Sequence, residues 1–214
     1  MNTATVTAQS QLLREAAEWR LLGLLFECPS PNWLAQVTAL AAEVSDPELK
    51  AAVEAARLEA SEGLYHSIFG PGGPAPGREI SYRDWVQPGY LLSELTSYYE
   101  AFAYQPALLE APDHVSVEAG FIAYLRFKEA YARAIADDEH ANVTREAAQQ
   151  FINEHLAMLT EPLARALEHS GIQYLALACQ ALLARGGPCP DAARKPGLPV
   201  LTDLEEDAFS CAET

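Results

Sequence analysis

The sequence predicts an all-α protein, a single globular bundle of about seven helices. Apolar residues recur at helical spacing through most of the chain, as at Leu13, Ala17 and Leu21 near its start. No stretch alternates apolar and polar residues for long enough to predict a β-strand. Prolines and glycines fall between the periodic segments, where helices are expected to end or begin.

The periodic segments place the expected helices in order along the chain. Asp46 is the expected N-cap of the third helix, with Pro47 at its first position. Pro162 is expected to kink the sixth helix or to restart it. The seventh helix is apolar nearly all round, which predicts that it is buried at the centre of the bundle. The expected helices cover residues 9–27, 31–44, 47–69, 90–104, 114–136, 143–169 and 172–184.

Two regions follow from this pattern. Residues 1–190 are expected to form the all-helical domain. Residues 191–214 carry two prolines and a run of acids, so they are expected to form an acidic, flexible tail.

The chain is strongly acidic, with 30 Asp and Glu against 14 Lys and Arg and a formal net charge of -16. Such a charge repels nucleic acid and anionic lipid and attracts basic peptides. It is equally consistent with a role in solubility alone. The first helix carries only Arg14 and Arg20 as basic residues, which argues against a DNA-binding helix.

Cysteine usage and hydropathy indicate the compartment. No pair of cysteines has the C-x-x-C spacing, and no Cys/His cluster has zinc-ligand spacing. The longest apolar block, residues 174–184, is too short to span a membrane, and the N-terminus lacks a basic region. We therefore expect a cytoplasmic protein without stable membrane insertion. The four cysteines are Cys28, Cys179, Cys189 and Cys211.

A polar cluster lies where the fifth helix is expected to begin. Pro112, Asp113 and His114 form a turn directly before the helix, and Glu118 follows four residues after the histidine on the same face. Asp113 is the expected N-cap, because its carboxylate can accept hydrogen bonds from the first backbone amides.

These residues resemble a metal or catalytic site only in part. Asp113, His114 and Glu118 are possible ligands, but the remaining histidines are scattered and a catalytic metal usually needs three well-placed protein ligands. The chain has no G-x-S-x-G motif, and the glycine-rich loop 70–77 has no Gly-Lys-Ser/Thr. We therefore expect no catalytic residues, no metal and no cofactor.

A second candidate surface lies in the connection between the third and fourth helices. Tyr82, Arg83 and Trp85 occur together there, outside the periodic core. Aromatic residues and arginine are enriched at interfaces, which favours a partner-binding role. The alternative is that Trp85 folds back to cover the core.

The Asp-His pair, followed by Glu118, Phe121 and Leu125, resembles the signature of the TorD/DmsD/NarJ family of molybdoenzyme maturation chaperones. The element Tyr65 to Phe69 also resembles the family's aromatic-x-x-Leu-Phe element, with isoleucine in place of leucine. The resemblance covers most of residues 11–185.

The chain departs from the family pattern at two positions. Pro112 stands where the family usually has an acidic residue, and Ala119 stands where it usually has leucine. The proline bears on the geometry of the turn that presents Asp113.

The resemblance implies a TorD-like helical chaperone that is not an enzyme. Such a chaperone binds the twin-arginine signal peptide or N-terminal segment of a molybdenum-containing oxidoreductase catalytic subunit, and assists cofactor insertion and assembly before export. Arg–carboxylate pairs are charge-assisted, so Asp113 and Glu118 are expected to bind arginines of that segment. An alternative is an all-helical regulator that binds a nucleotide or another small ligand. The expected partner-binding residues are Pro112, Asp113, His114, Glu118, Tyr82, Arg83 and Trp85.

Overall fold

A computed structural model describes residues 3–106 and 110–189, with side chains from residue 8 onward, so the expected tail 191–214 lies outside the described residues. The described ranges contain no β-strand, and their helices form one globular bundle, which confirms the all-α class. A 3-10 helix lies at Glu79–Tyr82, and a π-helical turn at Ile152–Leu156 joins α7 to α8. The α-helices are α1 Thr3–Leu25, α2 Trp33–Ala41, α3 Pro47–Glu59, α4 Glu62–Phe69, α5 Pro88–Ala101, α6 Val115–Ala134, α7 Asp138–Phe151, α8 Ala157–Glu168 and α9 Gln173–Gly186.

Capping side chains explain where two predicted boundaries were wrong. The third predicted helix is divided into α3 and α4, because Ser61 accepts a hydrogen bond from the Leu64 amide and starts a new helix. The polar stretch 137–142 was predicted to be a break, but Asp137 caps α7 by accepting from the His140 amide. Acidic residues are favourable in a first helical turn, so this polar stretch starts a helix.

Other local predictions have mixed outcomes. Asp46 caps α3 by accepting from the amides of Glu48 and Leu49, with Pro47 at the first position, as predicted. Pro162 lies inside α8, and the irregular turn occurs before it, at Ile152–Leu156.

The helix at the centre of the bundle is α6 and not α9. Most residues of α6 are buried, and it packs mainly against α1 and α7, whereas α9 packs on α3 and α8 and keeps one side partly exposed. A Cβ atom on Gly23 would lie 3.1 Å from the Ser116 carbonyl oxygen, which shows how closely α1 approaches α6. The core beside α6 is aromatic, with the ring of Phe121 4.8 Å from that of Phe151 and 4.9 Å from that of Tyr99.

None of the helices in the described ranges is long and apolar enough to cross a membrane.

Candidate partner-binding site

The N-terminus of α6 is capped by His114, which corrects the expectation that Asp113 is the cap. His114 has extended backbone angles, and its Nδ1 atom accepts from the Ser116 amide at 3.3 Å. The Asp113 carboxylate turns away from the helix because a charged partner, Arg78, lies on the neighbouring segment, and charge-assisted hydrogen bonds are the stronger ones.

The His114 ring belongs to a buried hydrogen-bonded chain. The Tyr65 hydroxyl lies 3.3 Å from His114 Nε2 and donates to Glu110 Oε1 at 2.9 Å. Since Nδ1 accepts from Ser116, the network assigns the imidazole proton to Nε2, which donates to the Tyr65 oxygen. Burial lowers the pKa of His114, so the ring is neutral in this arrangement.

Asp113 is fully buried, and this chain itself satisfies its carboxylate. Arg78 Nε and Arg78 Nη2 each lie 2.8 Å from Asp113 Oδ1, and the Ile80 amide donates to Oδ2 at 3.3 Å. The Glu79 amide also donates to the Asp113 carbonyl oxygen at 2.8 Å. The segment around the 3-10 helix is thus attached to the α6 N-terminus by both main chain and side chains.

Glu79 is a second fully buried carboxylate, which the sequence pattern did not indicate. Arg83 donates to Oε1 from Nε at 2.6 Å and also from Nη2, and His155 Nδ1 lies 3.2 Å from Oε2. Arg83 donates in addition to the main-chain carbonyl of Glu154, in the π-helical turn. The i,i+4 spacing of Glu79 and Arg83 was a usable signal, but nothing in the sequence pointed to His155.

Glu118 lies beside these two carboxylates and is fully buried. No N–H or O–H group of the described residues donates to either of its oxygens by ordinary hydrogen-bond geometry. Burial, followed by the negative charges of Glu79 and Asp113, raises the pKa of Glu118 well above its usual value. Glu118 therefore holds its proton more tightly than an exposed carboxyl group does, and its protonated form can donate toward Glu79.

Gly77 allows the preceding loop to approach His114. A Cβ atom at Gly77 would lie 2.4 Å from His114 Nε2, so any larger residue would displace the ring. The Val115 amide donates to the Gly77 carbonyl oxygen at 2.8 Å, and Arg78 and His114 form an isolated antiparallel bridge. The segment 77–83 and the turn 112–118 are therefore one packed unit.

The remaining expected residues are divided between this unit and the surface. The Tyr82 hydroxyl donates to the Pro76 carbonyl oxygen at 2.7 Å, and the Pro112 carbonyl oxygen accepts from Tyr99 at 2.7 Å. Trp85 is 80% exposed, so it does not cover the core, and its φ of 63° lies in the left-handed region that is strained for a bulky residue.

A cleft of 350 Å³ lies beside Trp85. Arg83 and Trp85 line it together with Tyr90 and Glu94, so an ion pair with a buried carboxylate and an exposed indole meet at one surface. The structure thus connects the two candidate regions of the sequence through Arg83.

In the part of the chain that the structure describes, no group of three or more His, Cys, Asp or Glu side chains is placed to hold a metal ion.

Comparison with known proteins identifies the class of this helical protein. Residues 37–164 match the family model described as nitrate reductase delta subunit, which covers more than half of the chain. The chain belongs to this family, the NarJ/TorD-type chaperones, and its general role is molybdoenzyme maturation and not catalysis. A comparison with curated protein sequences finds no match.

A solved structure supports the fold. The chain is similar to the crystal structure of a proposed redox enzyme maturation protein from Archaeoglobus fulgidus, at 17% sequence identity and a TM-score of 0.52. The match covers 79% of this chain and 92% of that chain. At this identity the likeness concerns the fold alone.

Proposed function

We propose that this chaperone binds the twin-arginine signal peptide, or the equivalent N-terminal segment, of a molybdoenzyme catalytic subunit in the cytoplasm, and assists cofactor insertion and assembly before export. The observation that carries the proposal is the fully buried Asp113 carboxylate, which already binds a guanidinium group. A site shaped for one guanidinium suits another of the same geometry.

The residues that carry recognition follow from the geometry. The carboxylates of Asp113 and Glu79 supply negative charge, and Glu118 adds a buried carboxyl group beside them. His114 and Pro112 fix the turn that holds these groups. The remaining contacts come from the cleft next to this turn, where arginine side chains can stack on exposed aromatic rings. The cleft contributes Arg83 and Trp85, which line its wall, and Tyr82 of the preceding segment packs against the core.

The apolar part of the client segment needs a separate surface. Tyr131 of α6, Ile135 at the C-cap of α6 and Val143 of α7 are more than half exposed, and they border a groove of 580 Å³ together with Phe102. The 20 residues of α6 separate this groove from the acidic turn by about 30 Å. An apolar run of 15 residues covers about 22 Å as a helix and more when extended, so one leader can reach from the first surface toward the second.

The overall charge supports the same partner. A net charge of -16 attracts a basic segment and accelerates its association, and the effect weakens as salt screens it. The affinity of the complex is accordingly expected to fall with ionic strength.

Titration calorimetry with synthetic leader peptides tests the proposal. The peptides come from the molybdoenzyme catalytic subunits of the host, each made with its arginine pair and with two alanines in place of the pair. We expect at least about tenfold weaker binding of the alanine form. Equal affinity of the two forms for every leader would overturn the proposal.

A variant locates the site on the protein. Trp85→Ala is expected to weaken binding of the arginine peptide by about tenfold, because an exposed indole is a typical interface anchor. Leu58→Ala is the matched control, since Leu58 is 89% exposed on α3, away from the cleft. Equal affinities of the two variants would remove Trp85 from the site.

A further inference from the structure

We propose that Arg78 and Arg83 act as an internal substitute for the client's arginines, so that client binding proceeds by exchange of guanidinium groups on the buried carboxylates. The proposal rests on the proposed function and adds a regulatory step to the same site: the chaperone competes with its own ligand before a client arrives.

The exposure of the two partners in each pair supports exchange. The side chain of Asp113 is 0% exposed while that of its partner Arg78 is 41% exposed. The side chain of Glu79 is 0% exposed while that of Arg83 is 22% exposed. In both pairs the carboxylate faces inward and the guanidinium lies on the solvent side, so a second guanidinium can approach from the same direction.

The two arginines lie close together in the chain and bind neighbouring carboxylates, as the two arginines of a bound peptide would. Arg78 and Arg83 flank one 3-10 helix, Glu79–Tyr82, and both reach carboxylates of one cluster. Short 3-10 helices have poor hydrogen-bond geometry, and the positive φ of Trp85 adds strain at the end of this segment. The segment that carries the arginines is therefore among the easier parts of this region to rearrange.

The buried carboxyl groups explain why the exchange needs a guanidinium. Removal of one partner leaves a buried charge uncompensated, which is strongly unfavourable. Neither oxygen of Glu118 has a hydrogen-bond donor among the described residues, and this carboxyl group lies beside Glu79 and Asp113, so Glu118 does not compensate the charge of a vacated carboxylate. An arginine from outside restores the lost pair, and a lysine restores its charge but not the two-nitrogen contact that Arg78 makes.

Exchange also lowers the apparent affinity of the chaperone for the client segment. The internal arginines hold the site closed for most of the time, and the apparent affinity of a client falls by the fraction of the protein that is open. Removal of Arg78 abolishes that competition at Asp113. We therefore expect a variant that lacks Arg78 to bind the arginine peptide more tightly, although it has lost a basic residue and a native contact.

Calorimetry with Arg78→Gln tests this expectation against a matched control. The side chains of Arg78 and Arg57 are equally exposed, at 41%, but Arg57 pairs with the exposed Glu54 on α3. We expect Arg78→Gln to bind the twin-arginine peptide at least about tenfold tighter than wild type, and Arg57→Gln to match wild type. Unchanged or weaker binding by Arg78→Gln would overturn the exchange.

A second measurement keeps the test valid if Arg78→Gln folds poorly or if no peptide binds. Ethylguanidinium at millimolar concentration is expected to raise the melting temperature, or the folded yield, of Arg78→Gln and to leave wild type and Arg57→Gln unchanged. Ethylammonium serves as the probe with charge but without the guanidinium geometry. Absence of rescue by ethylguanidinium contradicts exchange at Asp113. Failure of wild type to bind any leader peptide contradicts the proposed function, and it leaves the rescue result as an independent test of exchange.

Discussion

At the N-terminal end of α6, His114 and Glu118 are buried, whereas at its C-terminal end Tyr131 is 61% exposed and Ile135 is 57% exposed. The first end buries ionisable side chains and the second end exposes apolar ones. Each end thus reverses the usual preference, in which charged residues are exposed and large apolar residues are buried. Buried ionisable groups need partners: His114 obtains them from Tyr65 and Ser116, and Asp113 obtains them from Arg78 and the Ile80 amide. The exposed apolar side chains at the second end need no partner for the protein to fold, so they are available for contact with another chain.

This difference separates two kinds of effect. Changes at the N-terminal end should act on stability, because each buried group depends on a neighbour. Changes at the C-terminal end should act on binding with little effect on folding.

The largest expected effect follows from removal of Arg83. Arg83→Ala leaves the Glu79 carboxylate buried without its arginine partner, and we expect a loss of about 3 kcal/mol in the free energy of unfolding measured in urea. Arg165→Ala removes an i,i+4 pair of the same type from an arginine that is 68% exposed, and it should cost less than about 1 kcal/mol. Similar losses in the two variants would mean that burial does not distinguish them.

Glu118→Gln should stabilise the protein at neutral pH. The pKa of Glu118 is raised in the folded state, so its contribution to stability is fully present below the ordinary carboxyl pKa and is lost as pH rises through the folded value. Relative to wild type, the variant should gain up to about 1.4 kcal/mol per pH unit across that interval.

Urea unfolding from pH 4 to pH 8 measures this gain, with Glu62→Gln as a control at an exposed acid on α4. A difference that does not change with pH would contradict a buried, protonated Glu118.

His114→Asn should give a smaller effect with the opposite dependence on pH. The pKa of His114 is lowered in the folded state, so its contribution is fully present above the ordinary histidine pKa of 6.5 and is lost as pH falls through the folded value. Asparagine keeps a good N-cap and does not titrate, so wild type should lose stability relative to the variant below about pH 6.5.

Melting temperatures between pH 5 and pH 8 provide the comparison, with the exposed His66→Asn as the control. Parallel curves for wild type and His114→Asn would contradict the buried neutral ring.

The smallest effect on stability is expected at the opposite end of the helix. Ile135→Ser should change the free energy of unfolding by no more than about 0.5 kcal/mol, because the side chain is already mostly in water. The same change should weaken binding of a leader peptide with an intact apolar run. Leu58→Ser is the control, and equal peptide affinities for the two variants would remove the groove from the binding surface.

Helical periodicity was sufficient to predict the fold class, and local chemistry predicted the start of α3 at Asp46 and Pro47. The wrong boundaries came from polar residues that cap helices. Ser61 and Asp137 interrupt the apolar pattern in the sequence, but their side-chain oxygens begin new helices.

The part of the candidate site that could be predicted consists of residues adjacent in the sequence. The turn at Asp113 and His114 was found from its position before a helix, but which residue caps depends on Arg78, 35 residues earlier in the chain. Glu79 and His155 are 76 residues apart, and a buried pair at that separation leaves no periodic signal. The sequence therefore indicated the turn at Asp113 and His114, but it did not indicate Arg78, Glu79 or His155, which complete the buried cluster.

The π-helical turn at Ile152–Leu156 has a consequence for insertions and deletions. Such a turn holds about one residue more than an α-helical turn, so it absorbs an extra residue without rotating the apolar face of α8 away from the core. The carbonyl group of Glu154 in this turn accepts from Arg83, at the edge of the acidic site. Shortening the chain here by a single residue would convert the turn into regular α-helix and move that oxygen away from the guanidinium group. The length of this helix and the geometry of the buried acidic cluster are therefore set together.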